Sequence, residues 1–293
     1  MNPMSSNKIL KCLSLCDGVS NGLEALTQII PRDQIEYHAV EICEKKRFLS
    51  DLNHNGIIRP FNDVLEMAEQ DFLESYDLIL AGPTCTSFSS QGKREEWKGE
   101  SKIIIDCVKI VNLIKKINPK VKILFENVAS MRNEVKKDID NLIGIEGVCI
   151  RSENFSAQDR NRYYWFNWEL PEYPSCPSPT TESVLDSDGI LMFSFSKSNR
   201  NKVGQPKIVE GRIKEKKKSN TLTTGVGCNG QSTMNKVITK NMKVRNLTVS
   251  ECAKLQGMGR YSFDFVSDTE AFEAIGDAWQ VDTVEWILRQ GLK

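Results

Sequence analysis

The chain has 293 residues, of which 40% are hydrophobic and 27% charged, and its 39 Lys and Arg balance its 39 Asp and Glu. This composition excludes a disordered or fibrous chain, and no apolar run approaches the roughly 20 residues that span a bilayer. The length allows one large domain, or a large domain with a smaller companion. The first residues, MNPMSSNKILKC, lack the pattern of a signal peptide, so we expect a cytoplasmic protein.

Cysteine and histidine usage limits the chemistry that the chain can perform. The nine cysteines are scattered and contain no C-x-x-C pair, which argues against a disulfide framework and a zinc site, and for reduced thiols. Only His38 and His54 are available for histidine chemistry. We therefore expect no metal, and acid–base groups other than histidine.

Strand and helix patterns alternate through the first 166 residues. Short apolar runs predict strands at 9–15, 36–42, 76–82, 121–127 and 147–152. Helical patterns lie between them at 21–30, 44–53 and 101–117. This alternation predicts an α/β fold with a doubly wound, mostly parallel sheet, which binds ligands at the carboxyl ends of its strands.

The amino-acid composition of the chain changes after Trp168. We predict a division of the chain into three parts, residues 1–168, 169–244 and 245–293. The middle part is rich in Pro and Ser and then in basic residues, and indicates a small, irregular domain. Between Lys197 and Lys218 it holds nine Lys or Arg against two Glu, which favours either a polyanion partner or a solvated loop. In the last part Thr248 and Glu251 form a predicted capping box, and we expect the C-terminal helix to pack back on the first domain.

A glycine-containing turn follows the first predicted strand, in LSLCDGVSNGLEAL (13–26). A strand, a turn and a helix in this order bring backbone N–H groups close to a nucleotide-like ligand, although a plain tight turn needs the same glycines. Glu41 ends the next strand, where a carboxylate can accept hydrogen bonds from a ribose diol. Asp63 could similarly accept from an adenine amino group. For both acids the alternative is a solvated carboxylate or a helix cap.

Cys85 lies just beyond the predicted strand 76–82, among small polar residues that offer a thiol no apolar packing. A structural cysteine is usually buried and inert, so this position favours a nucleophile. Glu126 and Asn127 end the strand 121–127, and a carboxylate there could hydrogen-bond or protonate a ring nitrogen. Helix capping is the alternative for this pair.

The motifs of this chain, taken in order, resemble those of the cytosine-C5 methyltransferase family over most of the chain. The similar segments are DGVSNG (17–22), GPTCTSFSSQG (82–92), ENV (126–128), QDRNRYYW (158–165), RNLTVSECAKLQG (245–257) and IGDAWQV (275–281). Some of them are most similar to the de novo animal enzymes. Thr84 stands where the family usually has proline, and Asp277 where the bacterial members usually have asparagine.

The resemblance implies a fold, a cofactor and a reaction. The fold would be that of S-adenosylmethionine-dependent methyltransferases with a small target-recognition domain. The reaction would be methyl transfer to carbon 5 of a flipped-out cytosine in duplex DNA, through a covalent Cys85 adduct assisted by Glu126, Arg160 and Arg162. The implied cofactor-binding residues are Cys16, Asp17, Gly18, Val19, Ser20, Asn21, Gly22, Glu41, Ile42, Asp63, Val64, Gly82, Pro83, Asp277, Ala278 and Trp279.

The same resemblance sets expectations about partners. Basic residues between Lys197 and Lys218 would neutralise DNA phosphates, and 219–236 would offer side chains to base edges. We expect a monomer without membrane or metal, acting in a bacterial or phage-infected cell, as in restriction–modification systems. Two alternatives stay open: a tRNA cytosine-C5 methyltransferase, and a non-catalytic DNA-binding member of the family.

Overall fold

The computed structural model describes residues 8–68, 74–84, 102–173, 179–186, 189–192, 217–224, 235–239 and 244–293. The chain forms two compact units. The first contains the residues up to Ile150 together with Asn161–Glu172 and Val284–Lys293. The second contains Arg151–Arg160 and Tyr173–Thr283.

The described strands and helices follow one another in a largely alternating order. They are β1 (Leu10–Leu15), α1 (Asn21–Thr27), β2 (Ile35–Val40), α2 (Glu44–Asn53), β3 (Ile57–Ile58), α3 (Val64–Ala68), β4 (Leu78–Ala81), α4 (Ile103–Ile117), β5 (Lys122–Val128), α5 (Asn133–Ile143), β6 (Val148–Arg151), β7 (Gln158–Asp159), β8 (Asn161–Phe166), β9 (Gly189–Met192), β10 (Ser219–Asn220), β11 (Lys236–Thr239), β12 (Val244–Asn246), α6 (Val249–Leu255), α7 (Asp268–Asp277) and α8 (Val281–Gly291). Short 3₁₀ turns occupy Arg32–Gln34, Ser152–Asn154 and Thr181–Ser183.

Seven strands form the main sheet, in the order β3-β2-β1-β4-β5-β8-β6. Strands β1, β2, β3, β4 and β5 pair in parallel, and β8 pairs antiparallel with β5. The predicted α/β fold with a doubly wound, mostly parallel sheet is confirmed. The strand order reverses at β1, which lies between β2 and β4, and a crevice for ligands opens at the carboxyl ends of strands at such a point.

The core of the first unit follows from the apolar runs in the sequence. Strands β4 and β5 are buried along both faces, except for Lys122 at the start of β5, as expected of a sheet covered on both sides. Ile104, Ile110 and Ile114 form a buried stripe on α4 and belong to the same apolar cluster as the strands. The helix ends before Asn118, because Pro119 disfavours helical backbone in the residue that precedes it.

The described residues of the second unit include two smaller sheets and two capped helices. Strands β9, β11 and β12 form an antiparallel sheet, and β7 pairs in parallel with β10. The predicted capping box of Thr248 and Glu251 is confirmed at the start of α6. Glu251 is fully buried and accepts hydrogen bonds from both terminal nitrogens of Arg245, each 2.7 Å long.

Membrane-spanning helices and metal-binding clusters are both absent from the described residues. In the ranges given above, none of the helices combines the length and the apolar character needed to cross a membrane. The same ranges contain no group of three or more His, Cys, Asp or Glu side chains arranged to hold a metal ion.

Candidate active site

Most of the predicted site residues of the first unit lie at or just beyond the carboxyl ends of β1, β2, β4 and β5. The backbone joins β1 to β4 at this edge, since the N–H of Gly82 donates to the carbonyl of Leu15 at 3.1 Å. The parallel pairing therefore brings segments that are distant in sequence to one edge of the sheet.

The turn after β1 has an unusual backbone. Cys16, Gly18 and Ser20 have φ angles of 54°, 64° and 61°, in the left-handed region. Glycine adopts this region freely, whereas each other residue there costs roughly 1–3 kcal/mol and must be held by its surroundings. Of the predicted cofactor residues in this turn, Val19, Ser20 and Asn21 are buried, while Cys16, Asp17 and Gly18 are partly exposed.

Gly22 follows in the first turn of α1 and is close to the sheet. A Cβ atom on Gly22 would lie 2.5 Å from Leu80 Cδ1 and 3.0 Å from the Tyr37 hydroxyl. A side chain at this position would have to displace the side chain of Leu80. The predicted glycine turn thus packs directly on β2 and β4.

Glu41 lies immediately after β2 and stabilises the turn after β1. It is 7% exposed, and its Oε2 accepts from the N–H of Gly18 at 2.8 Å while its Oε1 accepts from the N–H of Cys43 at 2.9 Å. Burial raises the pKa of Glu41, and Lys46 and the two N–H donors oppose that shift. A carboxylate has about four acceptor positions, so the group retains capacity for a ligand diol. The neighbouring Ile42 is 70% exposed, which leaves an apolar surface beside it.

Val64 is the first residue of α3, and Asp63 precedes it. Asp63 Oδ1 accepts from the N–H of Leu65 at 2.9 Å, in the manner of a helix cap. Val64 is buried in the apolar core. The side chain of Val64 therefore faces the core.

Asn127 connects the end of β5 to the segment that precedes the predicted nucleophile. It is 1% exposed, and its Nδ2 donates to the carbonyl of Pro83 at 3.1 Å. Its Oδ1 accepts from the N–H of Val128 at 2.8 Å. Pro83 is followed by Thr84 and then by Cys85, which lies outside the described residues. The amide of Asn127 thus holds the backbone two residues before Cys85.

Glu126 and Arg162 form a buried ion pair. Arg162 Nε lies 2.8 Å from Glu126 Oε1, and the two side chains are 13% and 11% exposed. Strand pairing produces the contact, because Arg162 in β8 lies opposite Val128 and Tyr164 lies opposite Glu126. A guanidinium in this position orients the carboxylate and neutralises its charge. Two predicted catalytic residues are therefore brought together.

Arg160 belongs to the second unit and contacts backbone there. It is 3% exposed, its Nη1 donates to the carbonyl of Leu222 at 2.9 Å, and its Nη2 donates to those of Gly276 and Ala278 at 3.2 and 3.0 Å. Gly276 has no room for a side chain, since a Cβ there would lie 2.4 Å from the carbonyl carbon of Thr223. Arg160 therefore holds two backbone segments against each other.

The other predicted cofactor residues of the second unit lie beside this contact. Asp277 ends α7 and is exposed, Ala278 is buried, and Trp279 is partly buried. Gln256 Nε2 also donates to the carbonyl of Ala278, at 2.9 Å. The backbone at 276–278 is thus held by two buried side chains.

Lys217 and Lys218 are the members of the predicted basic segment that the structure describes. The Lys218 ammonium donates to the carbonyls of Glu153, Ser156 and Pro179 at 2.8, 2.7 and 2.6 Å. Burial lowers its pKa. Lys218 therefore stabilises the second unit through these three bonds, and the expectation that the basic segment contacts DNA phosphate stays a prediction. Lys217 is exposed.

Several of the remaining thiols are unsuited to nucleophilic chemistry. Burial raises the pKa of Cys12 well above its usual value, and that of Cys252 to about 12. Both side chains are fully buried. A thiol in such surroundings stays protonated and behaves as a small apolar group.

The chain has the doubly wound α/β fold of solved methyltransferase structures. Solved structures with this fold include S. pombe Dnmt2, with a TM-score of 0.64 and 18% identity over 96% of this chain and 97% of that one. They also include the Entamoeba histolytica methyltransferase EhMeth, with a TM-score of 0.66 and 15% identity over 98% of this chain and 100% of that one.

The family follows from a model described as C-5 cytosine-specific DNA methylase, which matches residues 10–144 and 152–293. The chain belongs to this family. It is 24% identical over 264 residues to the type II methyltransferase M1.ScrFI of Lactococcus lactis subsp. cremoris, covering 80% of this chain and 66% of that protein. It is 39% identical over 66 residues to the type II methyltransferase M.HgiGI of Herpetosiphon aurantiacus, covering 20% of this chain and 52% of that protein. The chain thus spans about half to two thirds of the length of these relatives.

Proposed function

We propose that this protein transfers a methyl group from S-adenosylmethionine to carbon 5 of cytosine in duplex DNA, through a covalent adduct with Cys85. The observation that carries the proposal is the buried pair of Glu126 and Arg162 at the end of β5, where Asn127 also holds Pro83. Family membership supports the same reaction. The arrangement offers a positioned carboxylate and a guanidinium close to the start of the Cys85 segment.

The turn after β1 and the end of β2 suit S-adenosylmethionine. Glu41 retains acceptor capacity for a ribose diol, and the exposed Ile42 offers apolar surface to an adenine ring. The turn at Cys16, Asp17 and Gly18 would bind the rest of the molecule, together with Gly82 and Pro83. When bound, S-adenosylmethionine supplies a methyl group on a positively charged sulfur.

The protein's own groups would make carbon 5 reactive. The Cys85 thiolate adds to carbon 6, and the electron pair of the carbon 5–carbon 6 double bond shifts toward carbon 5 and the ring. Glu126 would carry a proton on Oε2, since Arg162 occupies Oε1; it would donate that proton to N3 as the electron pair moves into the ring and take it back when the double bond is restored. Carbon 5 then takes the methyl group and loses its proton to a base. Expulsion of the Cys85 sulfur restores the double bond and frees the thiolate.

The target carbon is inaccessible inside a duplex, so the cytosine must leave the helix, at a cost of a few kcal/mol. We assign DNA binding to the target-recognition segment 169–244, between a catalytic part at 1–168 and a closing part at 245–293. Its basic residues other than Lys218 would contact phosphates. Arg160 would act in this proposal by supporting the backbone at Leu222 and Ala278.

The experiment is a transfer assay with S-adenosylmethionine that carries a tritiated methyl group. Duplex DNA and tRNA are offered separately and then together, and the labelled nucleoside is identified after digestion. We expect label in 5-methylcytosine from DNA. Label in tRNA alone would establish the RNA alternative, and a folded protein that transfers no label to either would contradict the proposal.

A further inference from the structure

Asp17 is the centre of a hydrogen-bond network beneath the turn after β1. Its Oδ1 accepts from the Tyr37 hydroxyl at 2.6 Å, and its Oδ2 accepts from the Ser20 hydroxyl at 2.5 Å. Its N–H donates to the carbonyl of Val40 at 3.1 Å. The carboxylate therefore connects the turn both to β2 and to the residue that precedes α1.

The network extends through Ser20 to α2. The Ser20 hydroxyl is hydrogen-bonded to that of Ser50, which in turn accepts from Arg59 Nη2 at 3.0 Å. Both serines are fully buried. Ser20 is also one of the two non-glycine residues of this turn with a left-handed backbone, so its side chain is held where its backbone is strained.

Tyr37 supports this network from within the sheet. It is fully buried in β2, opposite Cys12, and its hydroxyl lies under both Asp17 and the first turn of α1. Burial and the neighbouring charge of Asp17 raise the pKa of Tyr37 well above its usual value, so the phenol remains a donor. Burial likewise raises the pKa of Asp17, while the hydroxyls of Ser14, Ser20 and Tyr37 oppose that shift.

We propose that Tyr37 is a positioning residue for S-adenosylmethionine: its hydroxyl acts through Asp17 to hold the turn after β1 in the conformation that binds the ligand. The inference rests on the function proposed above. Tyr37 is fully buried, so in this proposal it acts through Asp17 and not on the ligand itself. The hydroxyl of Tyr37 would increase the fraction of molecules whose turn is competent to bind. The apparent dissociation constant equals the intrinsic one divided by that fraction, so it rises when the fraction falls.

The test is Tyr37→Phe, which removes the hydroxyl and keeps the ring. The chain offers a matched control in Tyr76→Phe, because Tyr76 is also buried and its hydroxyl is bonded to His38 Nδ1 at 3.0 Å, not to the turn. We measure the dissociation constant for S-adenosylmethionine by calorimetry without DNA, and stability by urea unfolding. We expect affinity to fall about tenfold in Tyr37→Phe, the effect of one lost hydrogen bond to a charged group. Tyr76→Phe should bind like the wild type.

The outcomes separate this inference from the proposed function. Wild-type affinity in Tyr37→Phe, or an equal loss in Tyr76→Phe, overturns the positioning role while the wild type still binds. A wild-type protein that does not bind S-adenosylmethionine overturns the proposed function and this inference with it. If Tyr37→Phe does not fold, Ser50→Ala removes the other end of the network, and we expect it to weaken binding several-fold. Unchanged affinity in Ser50→Ala then contradicts the proposal.

Discussion

Replacing Asn127 by alanine should slow methyl transfer more than it weakens ligand binding. The side chain makes two hydrogen bonds to main chain, one to the carbonyl of Pro83 and one from the N–H of Val128. Both partners are buried. Alanine leaves the two groups without these bonds, and the one at Pro83 lies two residues before Cys85.

The magnitude follows from the two bonds. A buried polar group that loses its partner costs about 1–3 kcal/mol, and two groups lose theirs, so the free energy of unfolding should fall by roughly 2–6 kcal/mol. Only the bond to Pro83 bears on the position of Cys85. If its full value is lost from the transition state, kcat falls by about 5- to 150-fold.

The assay is methyl transfer under saturating DNA and S-adenosylmethionine, with the rate expressed per folded molecule. Asn167→Ala is the control, since Asn167 makes a similar pair of bonds at the other end of β5, from the N–H of Ile123 at 3.0 Å and to the carbonyl of Val121 at 2.8 Å. Asn167→Ala should keep the wild-type kcat. A wild-type kcat in Asn127→Ala would refute this role for the amide.

A substitution at Thr84 tests the same constraint on the backbone before Cys85. Proline at 84 would fix φ near −65° and favour extended backbone at Pro83, which replaces part of the constraint that Asn127 supplies. Thr84→Pro alone should be as active as the parent or more active, and it should restore part of the rate lost in Asn127→Ala. If Thr84→Pro abolishes activity while the fold is retained, this segment works differently from the family loop that it resembles.

Two further predictions concern stability. Lys218→Met should lower the free energy of unfolding by roughly 1–3 kcal/mol, because three carbonyls lose their donor. Lys217→Met, at an exposed position, is the control and should leave the urea unfolding curve unchanged. Equal effects of the two substitutions would contradict the structural role of Lys218. Burial and the charge of Arg32 lower the pKa of His54 to about 4. The unfolded chain therefore binds a proton at His54 near pH 6.5, whereas the folded protein does not. The free energy of unfolding consequently decreases as the pH falls below 6.5. Between pH 7.5 and 5.0 the wild type should lose up to about 2 kcal/mol more than His54→Gln, and equal losses in the two proteins would rule out a contribution from His54.

Five strands of the main sheet, and the edge of the sheet that carries the site, could be predicted from sequence. Apolar runs with turn signals predicted β1, β2, β4 and β5, because a strand buried on both faces leaves that signature. The run at 147–152 also predicted β6, although three of the four residues of that strand are exposed. The order of the sheet could not be predicted in full. Local patterns do not say that β8 pairs antiparallel with β5, yet this pairing places Arg162 beside Glu126.

Other parts of the site carry little signal in sequence. Tyr37 and Ser50 are ordinary buried residues of a strand and a helix, and their connection to the turn after β1 exists only in three dimensions. In the sequence, Lys218 cannot be distinguished from the other basic residues of its segment. Its three carbonyl partners are known only from the structure. Helix α7 did have a signal, since Ser267 and Glu270 have the spacing of a capping box and form one.

The central claim is that Cys85 forms a covalent bond to cytosine. Duplex DNA containing 5-fluorocytosine tests it most directly, because fluorine cannot leave carbon 5 as a proton does and the adduct is trapped. We expect the wild-type protein to form a complex with this DNA in the presence of S-adenosylmethionine that survives denaturing electrophoresis, and Cys85→Ser to form none. A trapped complex with Cys85→Ser, or none with a wild-type protein that methylates unmodified DNA, would contradict the claim.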